Sequence, residues 1–233
     1  MVKLITTELL EKIDFEIYDK SDKYYNLEGK SVPRVTEILS SMIHSDRLMI
    51  WANNLGLRGL RYMQELNRAA NFGTIAHSCI EKYLREKIKS ENNIPFLGYL
   101  LWESVLNEKG LFINPVLIEE KLSCHWFGGT ADAVLDINGR LFLVDFKTSN
   151  HVTFKYFLQL AAYIYMLRLR RYNIEGVIVL QLDKKNPGFN EYLLDFKIPE
   201  HYQFMEYCSQ AFFSLVFAYY NIKRVENEYN KIF

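Results

Sequence analysis

The dipeptide Asn138-Gly139 constrains the fold of this chain more than any other local feature, because it lies between two apolar runs. These runs are Gly129–Ile137 and Leu141–Lys147. Both central residues of a type I′ turn need a positive φ angle, which asparagine and glycine adopt at low cost. The sequence therefore predicts an antiparallel hairpin with a two-residue loop, in which Ile137 pairs with Arg140.

That register brings two carboxylates together. Counting back along both strands from the turn places Asp132 opposite Asp145, with Cβ atoms about 4.5–5.5 Å apart. Lys147 shares the Asp145 face because it lies two residues further along the same strand. Two carboxylates this close repel each other unless a cation compensates them, and Mg²⁺ favours such a pair together with phosphate oxygens and water. A neighbouring lysine stabilises negative charge on a phosphate, so the trio is typical of a phosphodiester hydrolysis site.

The Asp-x-Lys spacing by itself is a weak signal. It occurs at Asp145, Asp183 and Asp195, and Asp195-Phe196-Lys197 repeats the Asp145 tripeptide. Asp183 falls at a predicted turn, and the strand predicted to face Asp195 carries no carboxylate. Asp145 follows an apolar run and faces Asp132, which favours a catalytic role over the alternative of a structural ion cluster.

The rest of the chain predicts helices and further strands around that hairpin. Helices are expected from Val32-Pro33 through Leu48 and Trp51, and at Asn71–Lys89, Phe96–Asn107, Lys155–Arg171 and Glu200–Tyr229. Strands are expected at Val116–Ser123, Gly176–Leu182 and Glu191–Ile198, with a short β-rich segment at Asp14–Leu27. No repeat or flexible linker divides the 233 residues. We therefore expect one α/β (α+β) domain with a mixed central sheet, mainly helical over residues 1–110 and carrying the sheet over residues 111–233.

Composition narrows the range of partners and compartments. Lysine plus arginine equals aspartate plus glutamate at 28 each, so phosphate contacts must be local and assisted by metal ions. Three scattered cysteines without a CxxC pair disfavour a zinc site or a disulfide framework. The N-terminus carries charges too early for a secretory signal, and no apolar run approaches the ~20 residues that span a bilayer. We expect a cytoplasmic protein (in host cytoplasm if phage-encoded) that is neither secreted nor membrane-bound.

Five segments in a fixed order carry a more specific signal. They are Val32–Leu39 (VPRVTEIL), Gly73–His77 (GTIAH), Gly128–Asp132 (GGTAD), Val144–Ser149 (VDFKTS) and Gln159–Tyr163 (QLAAY). Together they resemble the RecB-like exonuclease branch of the PD-(D/E)XK nuclease superfamily, which includes phage and mitochondrial genome maintenance exonucleases. The resemblance covers about Ser31 to Tyr163 and implies a restriction-endonuclease-like core.

The resemblance also implies a role for each matching residue. Asp132 and Asp145 would bind Mg²⁺ or Mn²⁺ together with the backbone carbonyl of Phe146. His77 would be a further ligand from a helix, although a histidine at such a position is otherwise an ordinary surface or core residue. Lys147 would orient or activate the attacking water. An iron–sulfur cluster, which some relatives bind through four cysteines, is not expected.

Three further positions are implied around that centre. Gln159 and Tyr163, at i and i+4 of one helix, would contact the DNA backbone or steady Lys147, with ordinary packing as the alternative for Tyr163. An acidic residue often precedes the G-x-x-D element in this family. Glu119 or Glu120 could fill that place, with Glu119 slightly favoured and a purely solvated role open for both.

The expected activity is that of an Mg²⁺- or Mn²⁺-dependent DNA exonuclease acting on single strands or DNA ends. By family it would serve replication, recombination or repair, with a protein partner from that machinery. Arg168 and Arg171 could bind DNA, but arginines there equally suit the negative end of a helix dipole. Three alternatives stay open: a catalytically weak nucleic-acid-binding or assembly protein, a structure-specific endonuclease, and an unrelated metal-dependent hydrolase of small phosphoesters.

Overall fold

A mixed sheet of five strands forms the centre of the fold. The computed structural model describes residues 25–27, 30–44 and 46–233. Its strands are β1 (Tyr25–Leu27), β2 (Lys30–Val32), β3 (Ile113–Ser123), β4 (Gly128–Ile137), β5 (Arg140–Lys147), β6 (Gly176–Leu182) and β7 (Phe189–Asp195). The first two form a separate pair, and the others form a sheet of order β3-β4-β5-β6-β7. Only β5 and β6 are parallel within this described sheet.

Helices cover both faces of this sheet. They are α1 (Val35–Met42), α2 (Asp46–Leu57), α3 (Tyr62–Glu86), α4 (Ile94–Glu108), α5 (Phe154–Leu169) and α6 (Pro199–Ile232). One face is buried against α1, α5 and α6, and the other against α3 and α4. The parallel β5–β6 connection is made through α5, as parallel neighbours require a long crossover. The predicted α+β class is confirmed. Among the described residues, no helix is long and apolar enough to cross a membrane.

The predicted hairpin is confirmed in both turn and register. Asn138 has φ 52° and Gly139 has φ 83°, the two positive angles that a type I′ turn needs. Ile137 pairs with Arg140, and the ladder continues to Ala133 opposite Val144. Local turn chemistry therefore sets the alignment of the two central strands.

Two helix predictions in the first half of the chain are wrong at their boundaries. The single helix predicted through Leu48 and Trp51 is two helices, because the backbone at Ile43 is extended and ends α1. Helix α3 begins at Tyr62 instead of Asn71. No side chain of residues 62–75 is buried, although Tyr62, Leu66 and Ala69 continue the helical spacing of the apolar residues.

Two strand predictions also need correction or fall outside the described residues. β7 ends at Asp195 and not at Ile198, because Phe196–Ile198 turn into the helix that Pro199 begins. The β-rich segment predicted at Asp14–Leu27 lies outside the described residues except for Tyr25–Leu27, which does form a strand.

Candidate metal centre

An irregularity in the β3–β4 ladder lies where two predicted ligands stand. Within the described strands, the residues on either side pair regularly, but Glu119 and Asp132 are not paired with each other. Glu119 has φ 48°, a left-handed conformation that non-glycine residues seldom adopt. Ala131 packs on the sheet face covered by α1, α5 and α6, whereas Ala133 packs on the face covered by α3 and α4. Residues two apart on a regular strand would share one face. The side chains of β4 therefore switch faces here, and the Glu119–Asp132 pair is absent from the ladder.

His77 brings a side chain from α3 to these carboxylates. Its Nδ1 lies 3.7 Å from Glu119 Oε1 and 3.6 Å from Asp132 Oδ1. Its Nε2 lies 2.8 Å from the backbone oxygen of Phe146. His77, Glu119 and Asp132 each offer one ligand atom, and these atoms lie within 4.8 Å of one another. The structure thus brings the predicted histidine, carbonyl and acidic residues together, and it favours Glu119 over Glu120.

Glu120 lies in a different environment. Its carboxylate accepts a hydrogen bond from Arg170 at 2.5 Å, and Arg170 also donates to the backbone oxygen of Lys121 at 2.8 Å. Because this ion pair engages Glu120 away from His77, the two adjacent glutamates have different neighbours.

Asp145 and Lys147 form the second half of the cluster. Asp145 is 2% exposed, and its Oδ1 accepts a hydrogen bond of 2.7 Å from Lys147 Nζ. Its Oδ2 is buried and has no hydrogen-bond partner among the described residues. Leaving a buried carboxylate oxygen unsatisfied costs free energy, so such an atom calls for a partner.

Asp132 does not continue the hairpin ladder opposite Asp145 as predicted. The ladder ends one residue short, and the Asp132 carboxylate instead accepts a hydrogen bond of 2.8 Å from the Phe146 backbone N–H. The carboxylate thereby takes the place of a backbone acceptor, which ties β4 to β5 at the point where Phe146 presents its carbonyl to His77.

The charges in the cluster perturb one another. Burial raises the pKa of Asp145 to about 6, with Lys147 opposing the shift. Burial disfavours the charged form of His77, but the Glu119 carboxylate, and then Asp132, outweigh it and raise the pKa of His77 to about 9. For Lys147, burial again opposes the charge, while Asp145 and Asp132 raise its pKa above the ordinary value. The site therefore groups several carboxylates around two cationic side chains, those of His77 and Lys147.

Gln159 and Tyr163 reach the segment that carries Asp132, because the Tyr163 ring packs on Gly129 of β4. Gln159 Nε2 donates to the Tyr163 hydroxyl at 3.0 Å. A Cβ at Gly129 would lie 2.6 Å from Tyr163 Cε1, so the ring packs directly on the β4 backbone. A Cβ at Gly73 would lie 3.4 Å from Thr148 Oγ1. Segments distant in sequence therefore meet at these glycines.

Arg168 and Arg171 are not brought to this centre. Both are exposed, at the C-terminal end of α5. At 1.5 Å per helical residue, Arg168 lies about 13 Å along the axis from Gln159. Their predicted role in DNA binding remains a prediction about the surroundings of the cluster.

The two other Asp-x-Lys copies have structural surroundings. Asp183 Oδ1 accepts from the backbone N–H groups of Lys185 and Asn186 in a turn. Asp195 forms two hydrogen bonds to the Arg140 guanidinium, at 2.6 and 2.8 Å. Neither aspartate joins the cluster around His77.

Sequence reasoning missed Gln181, which together with Tyr156 lies beside Lys147. Gln181 lies on β6 beside Lys147 and is 9% exposed, and Tyr156 is half-buried under the Lys147 amine. A single amide in the apolar strand Gly176–Leu182 was the available signal for Gln181. Of the neighbouring aromatics, Phe154 is 57% exposed and Phe157 packs against Phe204.

Comparisons with known proteins add little to this geometry. The chain matches no family model and no curated protein. A solved structure described as "Crystal structure of SSO0001" is similar at 15% identity, covering 90% of this chain and 84% of that one, with a TM-score of 0.36. A similarity at this level supports no argument about function.

Proposed function

We propose that this chain is a metal-dependent nuclease that hydrolyses DNA phosphodiester bonds, as a RecB-like member of the PD-(D/E)XK superfamily. One observation carries the proposal: His77 from α3, Glu119 from β3 and Asp132 from β4 bring ligand atoms within 4.8 Å of one another, and His77 also meets the Phe146 carbonyl of β5. The hydrogen-bonded pair of Asp145 and Lys147 on β5 interacts electrostatically with His77 and Asp132. Resemblance in sequence and convergence in space support the same site independently.

The donor set fits a divalent cation of the Mg²⁺ or Mn²⁺ type. Carboxylate and carbonyl oxygens are the ligands such ions prefer, and Mn²⁺ also accepts imidazole. The His77 imidazole, the Glu119 and Asp132 carboxylates near it and the Phe146 carbonyl are the groups that would hold the ion. The unpartnered Asp145 Oδ2 is the kind of atom that a cation satisfies. When bound, the ion lowers the pKa of water and neutralises phosphate charge.

The chain's own residues divide the remaining work. Lys147 is held by Asp145, and its pKa is raised, so it remains a cation that orients the attacking water or stabilises negative charge on the phosphate. Gln159 fixes the direction of the Tyr163 hydroxyl beside the G-x-x-D segment. Arg168, exposed further along α5, would contact backbone phosphates beyond the centre, as would Arg171.

The finer assignment rests on the sequence resemblance. By that resemblance the protein is an exonuclease on single strands or DNA ends, in replication, recombination or repair, with a protein partner of that machinery. Its three scattered cysteines favour the cytoplasm as the compartment. The zero formal net charge is consistent with a substrate held by the metal centre and a few local cations.

Digestion of two matched substrates tests this proposal. End-labelled linear and covalently circular single-stranded DNA are incubated with Mg²⁺, Mn²⁺ or EDTA. We expect metal-dependent loss of the linear substrate alone. Asp145→Asn should abolish this activity, and Asp195→Asn, in the other Asp-Phe-Lys copy, should retain it.

Each other outcome contradicts a part of the proposal. Cleavage of circles would replace the exonuclease with a structure-specific endonuclease. DNA binding without cleavage under any metal would indicate a binding or assembly protein. Hydrolysis of a small phosphodiester such as bis(p-nitrophenyl) phosphate with both DNAs intact would indicate a different hydrolase.

A further inference from the structure

The Lys147 ammonium has two neighbours, the Asp145 carboxylate and the aromatic ring of Tyr156. Its Nζ lies 4.9 Å from the centroid of the Tyr156 ring and 2.7 Å from Asp145 Oδ1. Lysine has a flexible four-carbon stem, so one ion pair leaves several rotamers open to it. An ammonium over an aromatic face is attracted by the ring quadrupole, and the attraction strengthens as water is removed. The Lys147 side chain is 18% exposed, so both contacts act in a largely dry environment.

The Tyr156 ring is itself held at its tip. Its hydroxyl donates to Ser149 Oγ at 3.0 Å, and Ser149 Oγ donates to the backbone oxygen of His151 at 3.0 Å. Tyr156 lies in the first turn of α5, and Ser149 lies in the loop that joins β5 to that helix. The hydroxyl chain therefore fixes the ring relative to the end of the strand that carries Lys147.

A buried amide fixes the same loop from the other side. Gln181 pairs with Lys147 across the parallel β5–β6 ladder. Its Nε2 donates to the Ser149 backbone oxygen at 2.7 Å, and its Oε1 accepts from Asn190 at 3.1 Å. Burying a polar side chain among apolar neighbours costs free energy unless the side chain is hydrogen-bonded. Both ends of the Gln181 amide form such bonds.

We propose that Tyr156 is a positioning residue for Lys147, and that Gln181 and Ser149 hold Tyr156 in place. The ring limits the lysine amine to the direction in which it meets Asp145, while the loop anchored by Gln181 keeps the ring over the amine. The catalytic consequence rests on the proposed nuclease function, whereas the arrangement of the side chains does not.

Nuclear magnetic resonance tests the arrangement without any activity. An amine over the ring face is shielded, so the Lys147 ε-methylene protons should resonate upfield of ordinary lysines in the metal-free protein. Lys147→Ala identifies the signal by its loss. Tyr156→Phe should retain the upfield shift and Tyr156→Leu should lose it. The matched control is Tyr165→Leu on the same helix, where the ring packs against Phe213, and it should leave the signal in place.

Turnover tests the consequence. We expect Tyr156→Leu to lower kcat about tenfold or more with KM nearly unchanged, as for residues that orient a catalytic group, and Tyr156→Phe to restore most of it. Tyr165→Leu should lower the thermal midpoint without a comparable change in kcat. Tyr156→Met replaces Tyr156→Leu if the latter does not fold.

The outcomes separate this inference from the proposed function. An unshifted Lys147 signal in the wild type, or a wild-type kcat in a folded Tyr156→Leu protein, would overturn the positioning role. A shifted signal in a protein that cleaves no DNA under any metal would overturn the nuclease and the catalytic consequence together, while leaving the arrangement itself intact.

Discussion

Replacement of Gly129 by alanine should displace the Tyr163 ring and lower both stability and turnover. The added Cβ would lie 2.6 Å from Tyr163 Cε1 and 2.9 Å from its hydroxyl, well inside the ordinary contact distance of about 3.5–4.0 Å. Tyr163 is 3% exposed, so the ring has no open space to move into. Overpacking of this kind costs about 1–3 kcal/mol of unfolding free energy. The displaced ring should also lose its hydrogen bond to Gln159.

A double-mutant cycle measures this contact directly. Urea unfolding is compared for the wild type, Gly129→Ala, Tyr163→Ala and the double variant. Without the ring the clash disappears, so the coupling free energy should be about 1–3 kcal/mol. Gly56→Ala on α2 is the control, because its Cβ meets nothing within 4 Å and alanine favours a helix by up to about 1 kcal/mol. Strictly additive free energies, or a Gly129→Ala protein as stable and active as the wild type, would refute the reasoning.

Three further predictions concern charges. Arg140 lowers the pKa of Asp195 from 3.8 to about 2, which corresponds to about 2 kcal/mol of stability that is present above pH 4 and lost as the pH falls through about 2. Asp195→Asn should remove this acid-sensitive stability, measured by urea unfolding between pH 2 and 7. An unchanged pH profile in the variant would contradict the ion pair. Glu119→Gln should weaken Mn²⁺ binding about tenfold or more in calorimetry, whereas Glu120→Gln should not; equal effects would argue against Glu119 as a ligand. The pKa of His77 is about 9 without metal, whereas an imidazole that binds a metal must be neutral. Mn²⁺ binding should therefore release a proton at pH 7, and the affinity for Mn²⁺ should rise toward pH 9. Binding without proton release would contradict His77 as a ligand.

The central hairpin could be predicted because its determinants are local. The turn requires positive φ angles only at Asn138 and Gly139. Once the turn is fixed, the sheet face of each side chain along both strands follows. This placed Asp145 and Lys147 on one face without any knowledge of the rest of the chain.

The surroundings of the centre depend on contacts that sequence periodicity does not record. Glu119 has a left-handed backbone and its carboxylate lies near His77 of α3, and no local signal in the sequence distinguishes Glu119 from Glu120. The hairpin register predicts a ladder that continues through Asp132, but the Asp132 carboxylate accepts a hydrogen bond from the Phe146 N–H instead. The predicted start of α3 at Asn71 lies nine residues after its observed start at Tyr62. Gln181 is one amide in an otherwise apolar strand, and its partners Ser149 and Asn190 come from other elements.

The most direct test compares Lys147→Ala with Lys197→Ala, because both lysines end the same Asp-Phe-Lys tripeptide. Lys147 lies in the cluster and contacts Asp145, whereas Lys197 is exposed at the turn beyond β7. The rate of nucleotide release from end-labelled single-stranded DNA is measured with saturating Mn²⁺. We expect Lys147→Ala to lower kcat about 10²–10³-fold and Lys197→Ala to leave it within twofold of the wild type. Full activity in a folded Lys147→Ala protein would contradict the assignment of this cluster as the site of hydrolysis.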